Sequence, residues 1–544
     1  MRATRTTSVR RLHLVAAALL AMGCNALIGL NDLSIATDGG TGPDAGGSTG
    51  AGGGMPDCQT NAECTQRATM AATARGDTEA GIAGMVPAIC VQPEGRCVEL
   101  LSPDCASITG DYLNDKAIVL GTLFSTKGAQ AATNIPRQQS ATLAVEEINA
   151  VGGIPASPTS GATRPLVVVS CDESTDLSRA ATHLVTELHV PAIVGPNTSQ
   201  DTITVSNNFT IQAGTIVMTP SAVASGIREL VDNDLTWLMV ASDVQRAPLM
   251  IQQINELERQ LKTDRMKTTL KLGIVYRNDA LGKGTATSLN SLIFNGKSLS
   301  DPINLGNNVQ IDPYDFSQPD QNAIVSKYVA FAPDIVVLAG TAEAITKVMV
   351  PLEQQWTAAD RPFYVGIDSI KVPELLATAT SADVRARVRG TGITPGPASA
   401  PVFNAFKTDY FSRYMMQATI SSMGPSYDAA YAIAYALAAT KDLPVSGANI
   451  AKGVRMLAGG PTVIEVGSPK ILAAFAALGS GQKITTIGTF GPLEWDEKGA
   501  VLGGTLEVWC IGAPPPGTPV YQSSGLTYDI KSGTPTGLYK QCSP

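Results

Sequence analysis

Nine cysteines and three histidines bound the side-chain chemistry open to this 544-residue chain. Cys58, Cys64, Cys90, Cys97 and Cys105 fall in one short polar stretch; Cys171, Cys510 and Cys542 stand apart, and Cys24 closes an apolar run. Such thiols ligate metal, attack as nucleophiles or oxidise in pairs. Zinc is the weaker reading, because the spacings contain no CxxC pair and no histidine lies nearby, so no metal is expected. A serine or thiol nucleophile needs a base. His13 lies in a segment read below as a leader, and His183 and His189 share the helical stretch Ser178 to Val190, away from a plausible Ser or Cys. The Lys283 loop, Asp279-Ala-Leu-Gly-Lys-Gly-Thr285, lacks the GxxxxGK[ST] spacing of a phosphate cradle. Neither an enzyme nor a cofactor is expected. What remains is non-covalent: hydroxyls that hold an anion and carboxylates that pair with a cation, in small polar loops. Those loops are Ser125-Thr126-Lys127-Gly128, Pro196-Asn197-Thr198-Ser199, Pro220-Ser221-Ala222, Arg277 to Gly284, Gly340 to Glu343 and Asp368-Ser369. Ser, Thr and Asp at such places also serve as helix N-caps, and that alternative stands beside ligand contact for Thr198, Ser199 and Ser221.

The N-terminus sets the compartment. Arg2, Arg5, Arg10 and Arg11 precede an apolar run, Leu12 to Met22, too short to span a bilayer, so residues 1–23 read as a secretory leader. Leu20-Ala21-Met22-Gly23-Cys24 resembles a bacterial lipoprotein box, with Cys24 as the acylated residue and a lipid-anchored, periplasm-facing location in the cell envelope. Residues 24–57 include the coil Asp38 to Gly54, a tether that cannot bury a core. In that oxidising setting the eight cysteines other than Cys24 are disulfide candidates. Cys510 with Cys542 would pin the tail, and Cys171 needs a partner from the N-terminal group. The formal charge of −8, from 39 Lys+Arg against 47 Asp+Glu, leaves no basic field for a nucleic-acid partner.

The loops that carry these polar groups need elements to hold them. From Lys116 onward short apolar runs recur: Ala117 to Leu120, Leu166 to Val169, Ala192 to Val194, Thr215 to Met218, Leu272 to Tyr276, Ile335 to Ala339 and Phe363 to Ile367. Runs apolar on both faces suit buried parallel strands. Helical patterns alternate with them, as in Arg137 to Ala150, where Ala141, Ala144 and Ile148 line one stripe, Glu146 and Glu147 face away, and Gly152-Gly153 stops the helix. The class is α/β, with doubly wound sheets that bind ligands outside the carboxyl ends of their strands.

The order Ala144-Val-Glu-Glu-Ile-Asn149-Ala-Val-Gly-Gly153, Ala192-Ile-Val-Gly-Pro196, Thr219-Pro-Ser-Ala222, Gly273-Ile-Val-Tyr276, Pro333 to Leu338, Ser426-Tyr-Asp-Ala-Ala430 and Gly491 to Gly499 resembles the type I periplasmic binding proteins. It looks most like the branched-chain amino-acid (Leu/Ile/Val) binding subunits of ABC importers, over about residues 115 to 512. The resemblance implies two Rossmann-like lobes joined by three crossovers, placed near Ala241, Ser369 and Trp495. Expected boundaries are a Cys-rich segment at 58–110, lobe 1 at 111–241 and 369–494, lobe 2 at 242–368 and 495–513, and a tail at 514–544. It also implies that Thr198 and Ser199, then Ser221 and Ala222, hold a carboxylate, while Tyr276, Thr341, Glu343 and Asp368 face the ligand, with Glu343 or Asp368 on an ammonium. Two positions depart from the family: Val223 replaces a ligand-contacting Thr, and Leu281 replaces an aromatic. The expected function is capture of a small, amino-acid-like solute for an ABC permease. The alternative is a sensing or envelope-enzyme-regulating lipoprotein of the same fold, which the added cysteine-rich parts favour.

Overall fold

The computed structural model describes residues 58–76, 84–156 and 161–543. The leader, Cys24 and the linker 24–57 lie outside the described residues. All seven apolar runs form strands, and each is apolar throughout because helices cover both faces of its sheet; Leu166–Asp172 and Ile335–Ala339 are buried at every position.

Two sheets result. The first runs, in spatial order, Thr236–Leu238, Ile216–Thr219, Ala192–Val194, Ile118–Phe124, Leu166–Asp172 and Cys105–Thr109. Its strands are parallel except the last, which pairs antiparallel with Leu166–Asp172. The second runs Val309–Tyr314, Leu272–Arg277, Ile335–Ala339, Phe363–Ile367 and Val388–Thr394 in parallel, and then Thr505–Gly512, Val520–Asp529 and Thr534–Thr536 antiparallel. These are two doubly wound lobes, and the chain passes between them three times.

Only the first crossover falls at its expected place, between Leu238 and the helix Asp243–Asp264. The second lies after Thr394 instead of near Ser369, because Val388–Thr394 stays in the second sheet. That strand reads Val-Arg-Gly-Thr-Gly-Ile-Thr and offers no apolar run. Its glycines make room for Trp509, whose Cζ2 would lie 2.2 Å from a Cβ at Gly390. The third crossover lies beyond Trp495. That residue still belongs to the first lobe, its indole 5.4 Å from Trp237 and donating to Leu238 O at 2.8 Å. The segment 514–544 is not a separate tail, since two of its strands extend the second sheet and Cys542 bonds Cys510.

The cysteine-rich segment divides as well. Helix Asn61–Arg75 packs on the hairpin Ala88–Val91 and Arg96–Glu99, braced by Cys58–Cys90 and Cys64–Cys97. Cys105–Thr109 instead becomes the edge of the first sheet, locked by Cys105–Cys171. The sulfurs of Cys58, Cys64 and Cys90 lie close together, but each is committed to a disulfide.

Inside lobe 1, helix Met423–Thr440 is buried along almost its whole length, as expected of a helix apolar on every side, and packs on Ala131–Ala150. Glu147 does not face away. Its Oε2 accepts from Tyr427 at 2.6 Å and from Tyr431, and burial pushes its carboxyl up to about 7.

Candidate functional site

A cleft of about 480 Å³ lies between the carboxyl ends of the two sheets, lined from lobe 1 by Thr198, Ser199 and Ser221 and from lobe 2 by Thr341, Glu343 and Asp368. Small-molecule clefts usually measure about 300–1,000 Å³. Six of the ten residues expected to bind ligand therefore meet here, although most of their polar atoms already have partners.

The lobe 1 hydroxyls brace loops. Thr198 caps the helix Ser199–Val205, accepting from Asp201 N and donating to Asp201 Oδ2 at 2.6 Å. Ser199 Oγ accepts the N–H groups of Val223 and Ala224 at 3.1 and 3.2 Å. Ser221 donates to Asn197 Oδ1 at 2.6 Å, and that oxygen also accepts from Arg137 Nη1 at 2.9 Å. Val223 and Leu281, the two departures from the family pattern, put apolar surface on the wall.

The lobe 2 carboxylates are engaged too. Glu343 accepts from Thr341 N at 3.1 Å, from the Thr341 hydroxyl, and from Tyr314 OH at 3.0 Å, and it lies 3.6 Å from Arg277 Nη1. Burial opposes its charge, but the Thr341 hydroxyl and Arg277 outweigh burial and hold the carboxyl below its ordinary value. Arg277 also pairs with Asp279 at 2.7 Å and stacks 3.8 Å from the Phe316 ring centroid. Asp368 pairs with Arg246, whose Nε donates to Ala241 O at 2.8 Å. The Asp368 carboxylate further accepts from Ile393 N and Ser421 Oγ, both at 3.4 Å.

Four expected residues do not line the cleft. Ser125 donates to Glu173 at 3.1 Å, and burial raises that carboxyl well above its ordinary value. Thr126 bonds Asp172 through its N–H at 2.7 Å. Ala222 is buried in an apolar cluster with Ile227, Leu238 and Ala500. Tyr276 stands one residue out of phase: side chains alternate along a strand, and it is Arg277 that reaches the cleft. Both nitrogens of His183 have partners, Glu187 at 2.6 Å and Leu100 O at 3.1 Å.

Sequence reasoning missed Arg137, Phe316 and Ser421 and named Asn197 only as part of its loop; all four line the cleft. For Arg137 a signal existed. Its helix offers Thr133, Asn134, Ser140 and Ala141 at the positions three and four residues away, so no acid within the helix can pair with it.

Two α/β lobes thus enclose a ligand-sized cleft between their strand ends, the architecture of a bilobal binding fold. Residues 117–464 match the family described as periplasmic binding protein, and this chain belongs to that family. None of the curated proteins matches it. Among solved structures it is similar to LivJ from Streptococcus pneumoniae, a branched-chain amino acid transporter substrate-binding protein in complex with isoleucine. The identity is 19% and the TM-score 0.53, covering 72% of this chain and 95% of that one. The leucine-binding protein LivK of Thermotoga maritima matches at 14% identity and TM-score 0.54, covering 75% and 98%. An ABC transporter solute-binding protein from Rhodopseudomonas palustris, in complex with 3,4-dihydroxybenzoic acid, matches at 12% and 0.54, covering 78% and 99%. These likenesses define the fold, and the three proteins are solute-binding proteins.

Proposed function

We propose that this chain is an extracytoplasmic solute-binding lipoprotein that captures a small polar ligand between its lobes and delivers it to an ABC permease. One observation carries the reading: polar groups from both lobes converge on a single cleft of ligand size. Closure of two lobes over a ligand withdraws it from water and strengthens each polar contact. The leader and Cys24 support tethering to a membrane.

Capture is tested by a thermal-shift and calorimetric screen of amino acids, amides, carboxylates, sugars and short peptides. A ligand at a hundred times its Kd stabilises the native state by about 2.7 kcal/mol. If no compound raises the melting temperature, capture fails. Cys24→Ser is expected to release the protein from membranes, and unchanged retention would refute the anchor.

A sensing or regulatory role is the second reading. It is favoured by the disulfide-braced helix and hairpin before residue 117 and the disulfide-closed strands after residue 464, which lie outside the family match. Ligand uptake that survives deletion of the gene in cells, alongside an altered envelope, would move the assignment to that role.

A further inference from the structure

The charges of the cleft do not balance locally, and the imbalance names a ligand class. Arg277 answers Asp279 and Glu343, Arg246 answers Asp368, and Lys347, also in the lining, donates to the carbonyls of Phe316 and Gln318. Arg137 has no such partner: among the described residues it forms no ion pair. Its Nε donates to Ser421 O at 2.8 Å, and its Nη1 to Asn134 Oδ1 and Asn197 Oδ1, both at 2.9 Å. All three acceptors are neutral. They fix the plane of the guanidinium and leave Nη2 without a hydrogen bond among the described residues, on a side chain that lines the cleft. Burial lowers its proton affinity to about 10, with Asp368 pulling the other way, so it remains a cation at neutral pH.

Asp368 is the acid that acts on Arg137, and Ser421 joins the two: its carbonyl accepts from Arg137 and its hydroxyl donates to Asp368. Arg246 is also bound to Asp368. Two guanidiniums therefore share one carboxylate, which leaves one positive charge at the Arg137 end of the cleft, while Arg277 with its two carboxylates leaves one negative charge at the other. An α-ammonium lies within about 3 Å of its own carboxylate. Beside Arg137 it would meet that excess positive charge, with Asp368 already engaged. Burying an unpaired charge is costly, whereas a guanidinium and a carboxylate form two parallel, charge-assisted hydrogen bonds.

Resting on the solute-capture reading above, we propose that the ligand is a small organic carboxylate without a neighbouring ammonium, and that Arg137 anchors its carboxylate. Val223, Leu281, Phe316, Ile367, Val372 and Ile420 supply apolar wall for the body of such a ligand. Glu374 also lines the cleft and, among the described residues, makes no hydrogen bond or ion pair to Arg137.

The test uses matched probes on the mature protein: 4-methylpentanoate and leucine, 3-phenylpropanoate and phenylalanine, benzoate and 3,4-dihydroxybenzoate, and the neutral amide of each acid. The carboxylates are expected to raise the melting temperature and to bind in calorimetry, with their amino and amide counterparts at least about thirtyfold weaker. Arg137→Gln is expected to weaken the best carboxylate by a similar factor, and Arg137→Lys by less. Circular dichroism and the melting temperature without ligand report whether each variant folds. Should Arg137→Gln misfold, the comparison of acid with amide on the wild-type protein still decides. Binding of leucine or phenylalanine in preference to the des-amino acids, or loss of such binding in Glu374→Gln, overturns the carboxylate assignment and leaves capture standing. Carboxylate binding that survives in folded Arg137→Gln overturns the anchor. Silence from every probe and from the wider screen overturns capture itself.

Discussion

Replacing Asp368 with asparagine keeps the shape of the side chain and removes its charge, and the consequence follows from Arg246. That guanidinium is 3% exposed and has Asp368 as its ion-pair partner. It also holds Ala241 O at the first crossover, while Asp368 reaches Ile393 N beside the second crossover and Ser421 in lobe 1. Taking one partner from a buried pair strands the other, at about 3–5 kcal/mol. With about 2–4 °C of melting temperature per kcal/mol for a lobe of this size, Asp368→Asn is expected to melt roughly 6–20 °C below wild type. The double variant Asp368→Leu with Arg246→Met removes both charges, and such replacements are near neutral, so it should recover most of the loss. Scanning calorimetry of the wild type, Asp368→Leu, Arg246→Met and the double variant closes the cycle. If Asp368→Asn melts within about 2 °C of wild type while losing its ligand, Asp368 is a ligand carboxylate, as the family pattern implies, and the staple argument is wrong.

Buried carboxyls set a pH dependence. Burial raises Glu147 and Asp428 to about 7 in the folded chain, so across roughly pH 4 to 7 the native state keeps protons that the unfolded state has released. Stability from these groups is therefore greatest at the acid end and falls as pH rises, by up to about 1.4 kcal/mol per pH unit per group, levelling above pH 7. Glu147→Gln should flatten that slope, and an unchanged profile of melting temperature against pH would refute the assignment. Cys542→Ser opens a loop whose ends are 32 residues apart, a loss of about 3–4 kcal/mol. Limited proteolysis should then cut within 514–543, and resistance equal to wild type would show that the sheet alone holds the segment. Gly390→Ala sets a Cβ against the Trp509 indole and should destabilise by about 1–3 kcal/mol or more, read from the denaturation midpoint.

Strands were legible where burial on both faces forced a continuous apolar run, and illegible where packing asked for something else. Val388–Thr394 needs glycines to seat Trp509, so it carries no strand signature, and the second crossover was placed 25 residues early as a result. Val520–Asp529, at the antiparallel end of the second sheet, has solvent along much of its length and likewise lacks the run. The site divides in the same way. The rule that ligands meet strand ends located the loops, because it depends only on where strands stop. Which charge stays unspent after folding depends on partners brought from far along the chain: the counterion Asp368 stands 122 residues from Arg246, and the neutral Ser421 carbonyl stands 284 from Arg137. Glu343 and Asp368 looked available as isolated acids and are engaged in the fold, while Arg137 looked like one cation among 39 basic residues and forms no direct ion pair among the described residues. The charge a cleft offers its ligand is thus the remainder after tertiary pairing, and beside Arg137 that remainder is positive.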